Sequence, residues 1–519
     1  MQNPKRGDQR TMKKLLIIAL IFSISTIGIV FDSFSKEKPQ HGGILRILTP
    51  ASHATFYMPE GGPQDLAAMF PGAEALMQYT ARNELTPHLA KSVDIDEKNL
   101  TITFHLRKGI KFHDGSPLNA ENVAWSFNFI KEKKRLQYGD KLKSVEILDD
   151  YTVRLHLNEY NNMIIHSFGW HYPLSKKAYT TKDIDWLRSN FVGTGPFKLV
   201  EWKRDSHITW ERNPDYWMKD RPYLDRIEFR YIPDPVTASA MMRAGEADMW
   251  TGAPVKDQAD LEKKGFIRRY GYCAFPAMIY PNTKDPDRPT SKVKVRYAIE
   301  YALDKEAMAK ALGFGYYTAL KMVAPEGDWG YDPDYPGRPY NPEKARELLA
   351  EAGYPKGLKL KLLVFIPWAG GSQASAEAIK AYLGDVGIDL EVDIADPGRY
   401  FGAIWGTGWE DLALGITGLD PTYLVTFQRW FGHEPATNLV SFKRSPELIA
   451  LSKESITYMD EADQEAITKK LVRLIADEAS MIPLWKMPTA YMVQPYVHST
   501  YLDAGVIAWS IYDDWMEKH

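Results

Sequence analysis

The chain runs to 519 residues, more than one hydrophobic core usually organises, so two or more compact bodies are expected. Hydrophobic residues at 45% and charged residues at 25% are ordinary for a soluble globular protein, and a net charge of -3 gives no reason to expect nucleic acid as a partner. A single cysteine, Cys273, excludes an internal disulfide, and between Tyr272 and Ala274 it reads as a small packing residue.

The first residues read as a targeting segment. Lys13 and Lys14 precede an apolar run from Leu15 to Phe31 and then Ser33-Phe34-Ser35, so 1–35 is assigned as a signal peptide, with Met12 as an alternative start. The run is shorter than the ~20 residues a spanning helix needs, which favours export and release over the alternative of an uncleaved anchor. No cysteine follows it to carry a lipid.

Gly42 to Leu48 then reads as a first strand, and Ala51 to Met77, broken at Gly61-Gly62-Pro63, as a loop feeding a helix. Leu100–Leu106 and Tyr151–Leu157 alternate as strands, while Val123, Phe127 and Ile130 form a helical stripe over 119–130. His105 and His113 are accounted for by strand and turn, and His166 and His171, five apart, fit no common metal-ligand spacing on a helix.

The most regular stretch runs from Gly193 to Trp250. Phe197–Trp210 predicts a hairpin and Ile227–Tyr231 a third strand. A helix follows, capped by Asp234, begun by Pro235 and ended by Gly245, and Glu246–Trp250 returns as a strand. Tyr270–Asn282 reads as an extended crossing into a second body, with Met481 through Val493 as the return. Between them, helices over 293–302, from Asp304 to Leu312, from Asn341 to Gly353 and around Ala376, Ile379 and Leu383 alternate with strands over 358–364 and 388–394. That alternation predicts a mostly parallel sheet flanked by helices. The tail from Tyr501, with Trp509 and Trp515, is expected to pack back on the first body.

No reaction chemistry is legible. There is no phosphate-binding glycine loop, Gly313-Phe314-Gly315 is too short for a dinucleotide fingerprint, and no Gly-x-Ser-x-Gly elbow occurs. Gly370-Gly371-Ser372 precedes a helix and reads as a turn with a cap, or as amides that hold an anion. No catalytic residue, no metal site and no cofactor is therefore assigned.

Gly193-Thr-Gly-Pro-Phe197, Arg243-Ala-Gly-Glu-Ala-Asp248, the entry Pro87 to Ser92, the run Phe104 to Ser116, Asn213-Pro-Asp-Tyr-Trp217 and Val295 to Asp304 together resemble the extracytoplasmic solute-binding proteins of family 5, the receptors of peptide and nickel ABC importers. The resemblance extends from about Gly42 to the C-terminus. It implies an α/β, two-lobed periplasmic-binding-protein fold of the large type with an extra α+β subdomain. Lobe one would span 40–272, with the subdomain at about 52–168; lobe two would span 273–485, and 486–519 would return to lobe one. It further implies a monomer that is exported to the periplasmic space or the outer face of the cytoplasmic membrane. Its partners would be a small solute and permease subunits with their ATPases.

Trp405 to Trp430 is the segment most informative about ligand. In peptide-binding relatives the corresponding region resembles a strand ending in tryptophan, an acid that receives the peptide amine, and then Asp-Pro. Here Asp420-Pro421 matches the trailing half, but Thr417, Gly418 or a deletion stands where the upstream acid belongs. Asp420 either substitutes for that acid or caps the next helix. The resemblance makes Phe56 and Tyr57 contact candidates, because the family's corresponding loop faces the cleft. Trp405, Trp409, Trp430 and Trp368 offer stacking faces, and Arg429 a partner for a ligand carboxylate. Short peptides lead as ligand, followed by oligosaccharides and nickel. A secreted hydrolase and a stand-alone sensory module are the readings from other classes.

Overall fold

Ile44–Thr49 (β1) buries Leu45, Ile47 and Leu48 completely, and everything N-terminal to the long crossing strands is arranged around it. The computed structural model describes residues 38–61, 67–80, 84–366, 373–418, 422–433, 439–501 and 509–518, apart from the side chains of Tyr272 and Cys273. The targeting segment, Trp368, Gly370-Gly371-Ser372 and Asp420-Pro421 lie outside the described residues.

A separate antiparallel sheet follows β1 in the chain. Ala90–Asp96 (β2), Thr101–Leu106 (β3), Leu142–Asp149 (β4) and Thr152–Leu157 (β5) pair in the order β2-β3-β5-β4. The helix Ala120–Glu132 (α1) lays Val123 and Phe127 on Phe104, Val153 and Leu155, which closes the core of the α+β insert. Phe197–Lys203 (β6) and His207–Arg212 (β7) form the expected hairpin, and Arg226–Tyr231 (β8) joins β7 antiparallel and β1 parallel. Pro235–Arg243 (α2) starts where the Asp234 carboxylate accepts from the Thr237 amide at 2.8 Å and ends before Gly245, whose φ of 73° suits a residue without Cβ. Met249–Thr251 (β9) then lies parallel to β1 on its other side.

Ile267–Pro281 (β10) is the first long crossing strand. Beyond it come Val293–Ala302 (α3), Lys305–Leu312 (α4), Thr318–Ala319 (β11), Pro342–Glu351 (α5), Leu358–Val364 (β12), Gln373–Gly384 (α6), Ile388–Ile394 (β13), Pro397–Gly402 (α7), Leu412–Ile416 (β14), Tyr423–Trp430 (α8) and Glu461–Asp477 (α9). The second long crossing strand, Ile482–Val493 (β15), pairs with β10 along most of its length. Residues alternate between two cores here. Leu362 and Leu414 face Ile299 and Ile379 on one side, whereas Leu363 and Ala413 face Tyr400 and Tyr423 on the other.

The sheet order among the described residues is β13-β12-β14-β10-β15-β9-β1-β8-β7-β6, with β11 on the free side of β15. The expectation of a mostly parallel second sheet is corrected. Only β13, β12 and β14 run parallel, and β14 then meets β10 antiparallel, as β10 meets β15. Sequence alternation reports each strand but not which neighbour it finds. Residues 41–519 thus form one compact unit on a continuous sheet. In the tail, Trp509 and Ile511 join the core around β1 and Trp515 stacks on His498 at 3.8 Å. No described helix is long and apolar enough to cross a membrane.

Candidate functional site

The β10–β15 ladder sets the geometry. Thr251 at the end of β9 aligns with Tyr491, and Ile416 at the end of β14 aligns with Ala277, so β9 and β14 advance toward the middle of the ladder from opposite sides. Because β1 and β8 run parallel to β9, and β12 and β13 parallel to β14, the carboxyl ends at Thr49, Tyr231 and Thr251 face those at Val364, Ile394 and Ile416. Between the two sets the ladder is irregular. The step from Tyr270 to Ala274 on β10 opposes the shorter step from Ala490 to Pro488 on β15, a bulge that bends the strand. Ligands of open α/β sheets bind outside the carboxyl ends of strands, and here two such edges face each other across a bend.

Two polar groups on the β14 side are buried without partners among the described residues. The hydroxyl of Thr417, immediately after β14, makes no hydrogen bond to them, and neither does that of Tyr423, the first residue of α8, which is 2% exposed. The turn 325–331 lies against the Tyr423 ring: a Cβ on Gly330 would approach it to 3.1 Å. In that turn the backbone is tied, with Asp328 N–H donating to Pro325 O at 3.2 Å and Tyr331 N–H to Asp328 O at 2.9 Å. The Asp328 carboxylate has no hydrogen-bond or ion-pair partner among the described residues. Burial pushes its pKa up to about 6, against the weaker opposing pull of Lys486 on β15. Lys486 itself forms no ion pair among the described residues and lines a cavity of about 700 Å³ with Thr318, Lys321, Glu326 and Tyr331.

A second groove, of about 670 Å³, behaves differently. Three of its cations are already neutralised: Lys361 meets Glu410 at 3.2 Å, Arg399 meets Asp393 at 2.7 Å, and Arg288 lies 3.7 Å from Asp411, while Lys284 donates to the Val440 carbonyl at 3.3 Å. Charges paired in this way offer a solute little.

The residues singled out from sequence are dispersed. Phe56 is 1% exposed, edge-on to Trp202 and Trp210 at 5.3 and 5.9 Å, inside the core around β1. Tyr57 is buried on Tyr179, with ring centroids 5.7 Å apart, and its hydroxyl pKa is raised by burial and then by Glu60. Trp409 is buried and donates from Nε1 to Tyr280 O at 2.9 Å, while Trp430, also buried, shares that core and finds no acceptor for its Nε1 among the described residues. Trp405 is 44% exposed and stacks on Phe401 at 4.6 Å, and Arg429 is exposed on α8 with its guanidinium 6.0 Å from the Trp430 ring. Asp420 lies outside the described residues. Reading the sequence missed Asp328, Tyr423 and Lys486. Only the left-handed turn at Gly327, φ 94°, marked the Asp328 loop, and nothing local marked its carboxylate as unpaired.

The conspicuous motifs do other work. Glu74, 6% exposed, accepts from His88 Nε2 at 2.9 Å, the Thr194 hydroxyl at 2.9 Å, the Tyr216 hydroxyl at 2.8 Å and Trp217 Nε1 at 3.1 Å. His113 donates from Nε2 to Gly195 O at 3.0 Å and accepts from the Gly193 amide on Nδ1, a neutral ring whose pKa burial lowers to about 4. His171 sits beside Ser126, and His166 beside Tyr79. These contacts pin the α+β insert to the main sheet.

The model of the bacterial extracellular solute-binding proteins, family 5 Middle, matches residues 84–438. The chain belongs to this family. As a family 5 protein it is a solute-binding receptor, and its similarity to curated relatives is broad. It is 30% identical over 469 residues to the heme-binding protein A of Haemophilus influenzae, covering 80% of this chain and 82% of that one. It is also 30% identical to the glutathione-binding protein GsiB of Pectobacterium atrosepticum, over 64% of this chain and 66% of that one. Among solved structures, AgaA of A. tumefacien R10 in complex with agropinic acid superposes with a TM-score of 0.77 at 25% identity, covering 92% of this chain and 99% of that chain. The fold of Helicobacter pylori DppA in complex with the peptide STSA matches with a TM-score of 0.80 at 24% identity, over 92% of this chain and 99% of that one.

Proposed function

We propose that this family 5 protein is the exported receptor of an ABC importer that captures a short peptide between two lobes and hands it, chemically unaltered, to permease subunits with their ATPases. The lobes are 40–272 with the return 486–519, and 273–485, and they close by bending at the bulge in β10. The observation that carries this reading is the facing of the two sets of strand ends across that bulge. The protein acts as a monomer outside the cytoplasm.

Peptide is favoured because Asp328 and Lys486, opposite charges without ion-pair partners among the described residues, suit a solute bearing both an ammonium and a carboxylate. A neutral oligosaccharide needs neither, and of its stacking faces Trp409 and Trp430 are buried in a core. The glutathione-binding relative agrees with the peptide class. The test is mass spectrometry of the solute that co-purifies with the exported protein, followed by a thermal-shift panel of peptides, cello- and xylo-oligosaccharides and nickel. A peptide at 100 times its dissociation constant adds about 2.7 kcal/mol of stability. A panel in which only oligosaccharide or nickel raises the melting point overturns the peptide reading.

A further inference from the structure

Asn161-Asn162-Met163, at the border of the α+β insert, meets the end of the helix Pro446–Ser455, which belongs to the other lobe. The Asn162 backbone N–H donates to Ile456 O at 3.0 Å, and its side-chain Nδ2 donates to Ser455 O at 2.9 Å and to Tyr458 O at 2.8 Å. We propose that this contact is a latch, formed when the lobes shut, which sets how tightly solute is held by stabilising the shut state rather than by touching the solute. The latch rests on the two-lobed receptor reading above and deepens it.

Three features support it. First, the chemistry is complementary. The last carbonyls of a helix have no partner within it, and here one residue of the opposite lobe brings a side-chain amide and a backbone N–H to them. Both side-chain contacts are acceptors, which fixes the Asn162 amide with its nitrogen toward the helix end. Asn162 is 4% exposed, and Asn161 braces the turn by accepting from the Met163 amide at 3.0 Å. Second, Met163 is buried in the core that Tyr400, Tyr423 and Trp430 share, and among the described buried residues of that core it alone comes from lobe one. A flexible thioether fills such a socket without a tight match of shape, so it leaves and returns at little cost. Third, neither 161–163 nor 446–458 belongs to the main sheet, so bending of β10 and β15 parts them. Tyr316 also meets Glu262 across the lobes, but with the guanidinium of Arg268 on β10 only 3.5 Å from its ring, at the hinge itself.

The carbonyls that Asn162 meets are tied in turn to α8, the first helix after β14. Gln428 of α8 donates from Nε2 to Ser452 O at 3.0 Å and to the Ser455 hydroxyl at 2.6 Å, and accepts from the Ser452 hydroxyl at 2.9 Å, all within the core. The latch therefore engages the element that follows the strand end facing the solute. Without it the shut state is less populated, and apparent affinity falls by the same factor. Loss of two neutral hydrogen bonds corresponds to about tenfold.

The experiment has two arms, both on the purified exported protein. In the first, Asn162→Cys and Ile456→Cys are combined with Cys273→Ser, and small-angle scattering compares the oxidised and reduced forms without solute. The backbone hydrogen bond of 3.0 Å brings the two main chains as close as neighbouring strands, within reach of a disulfide. Oxidation is expected to lower the radius of gyration and reductant to restore it. In the second arm, di- to tetrapeptides are titrated into the wild type, Asn162→Ala and Asn162→Asp. Both variants are expected to bind about tenfold more weakly, with the melting temperature in the absence of peptide unchanged because the latch is then open. If no peptide binds any form and oxidation still compacts the molecule, the peptide reading falls and the latch stands. If oxidised and reduced forms scatter alike, or if Asn162→Ala lowers the melting temperature without peptide and leaves affinity as in the wild type, the contact is permanent scaffold and the inference is overturned.

Discussion

Glu74 collects four side-chain donors, from His88, Thr194, Tyr216 and Trp217, and so ties three separate sequence motifs to one carboxylate. Truncation to alanine leaves those donors buried without an acceptor, and Glu74→Ala is expected to cost about 3–5 kcal/mol, read as a fall in the urea midpoint. The buried histidines of the same half of the chain predict the acid response. His113, His166 and His171 are lowered by burial to about 4, 4 and 3, so between those values and the ordinary 6.5 the unfolded chain binds more protons than the folded one. Stability is therefore full above pH 6.5 and drains away as pH falls toward 4, and His171→Gln should flatten that slope in urea titrations run at stepped pH. These residues also explain what the sequence disclosed. The motifs that announce the family, from Pro87-His88 to Tyr216-Trp217, are scaffold, and their regularity reflects the demands of a buried network. A group without a partner, such as the Tyr423 hydroxyl among the described residues, leaves no such pattern in its neighbours.

The local elements were largely legible, since their signals are local. Asn341 caps α5 by accepting from the Lys344 amide at 2.9 Å, and Asp234 caps α2 in the same manner. Asn341→Ala should lower stability by about 1 kcal/mol in the same denaturation assay. Phe56, Tyr57, Trp409 and Trp430 show where the reading of residue type reached its limit: an aromatic ring suits a cleft and a core equally, and the side of the strand or loop it occupies depends on pairing. Close approach was likewise invisible. The Gly193-Thr194-Gly195 turn lies on the 71–72 backbone, with Gly195 N–H donating to Gly72 O at 2.9 Å, and a Cβ at Gly195 would sit 2.5 Å from the Gly72 carbonyl carbon. Gly195→Ala is expected to prevent normal accumulation of folded protein, as judged by resistance to limited proteolysis.

At the scale of the whole molecule, the two crossing strands depart from regular pairing at two places, between Ala277 and Met278 and, with the longer step, between Tyr270 and Ala274. Closure about the longer step predicts a smaller radius of gyration by small-angle scattering when a binding peptide is added, and no change with a peptide that gives no thermal shift. The crossing and return were expected from sequence, but the mixed character of the sheet was not, because β15 runs between β10 and β9 and so joins segments some 230 residues apart in the chain.

That late insertion governs the order of assembly. Tyr491 and Val493 complete the core around β1, and Trp509, Ile511 and Met516 seal it, so the earliest-made strands keep an unpaired edge at β9 until β15 has been made. A sheet whose first strands cannot complete their edge before a far later segment arrives delays its own locking, and the half-made chain stays open for longer.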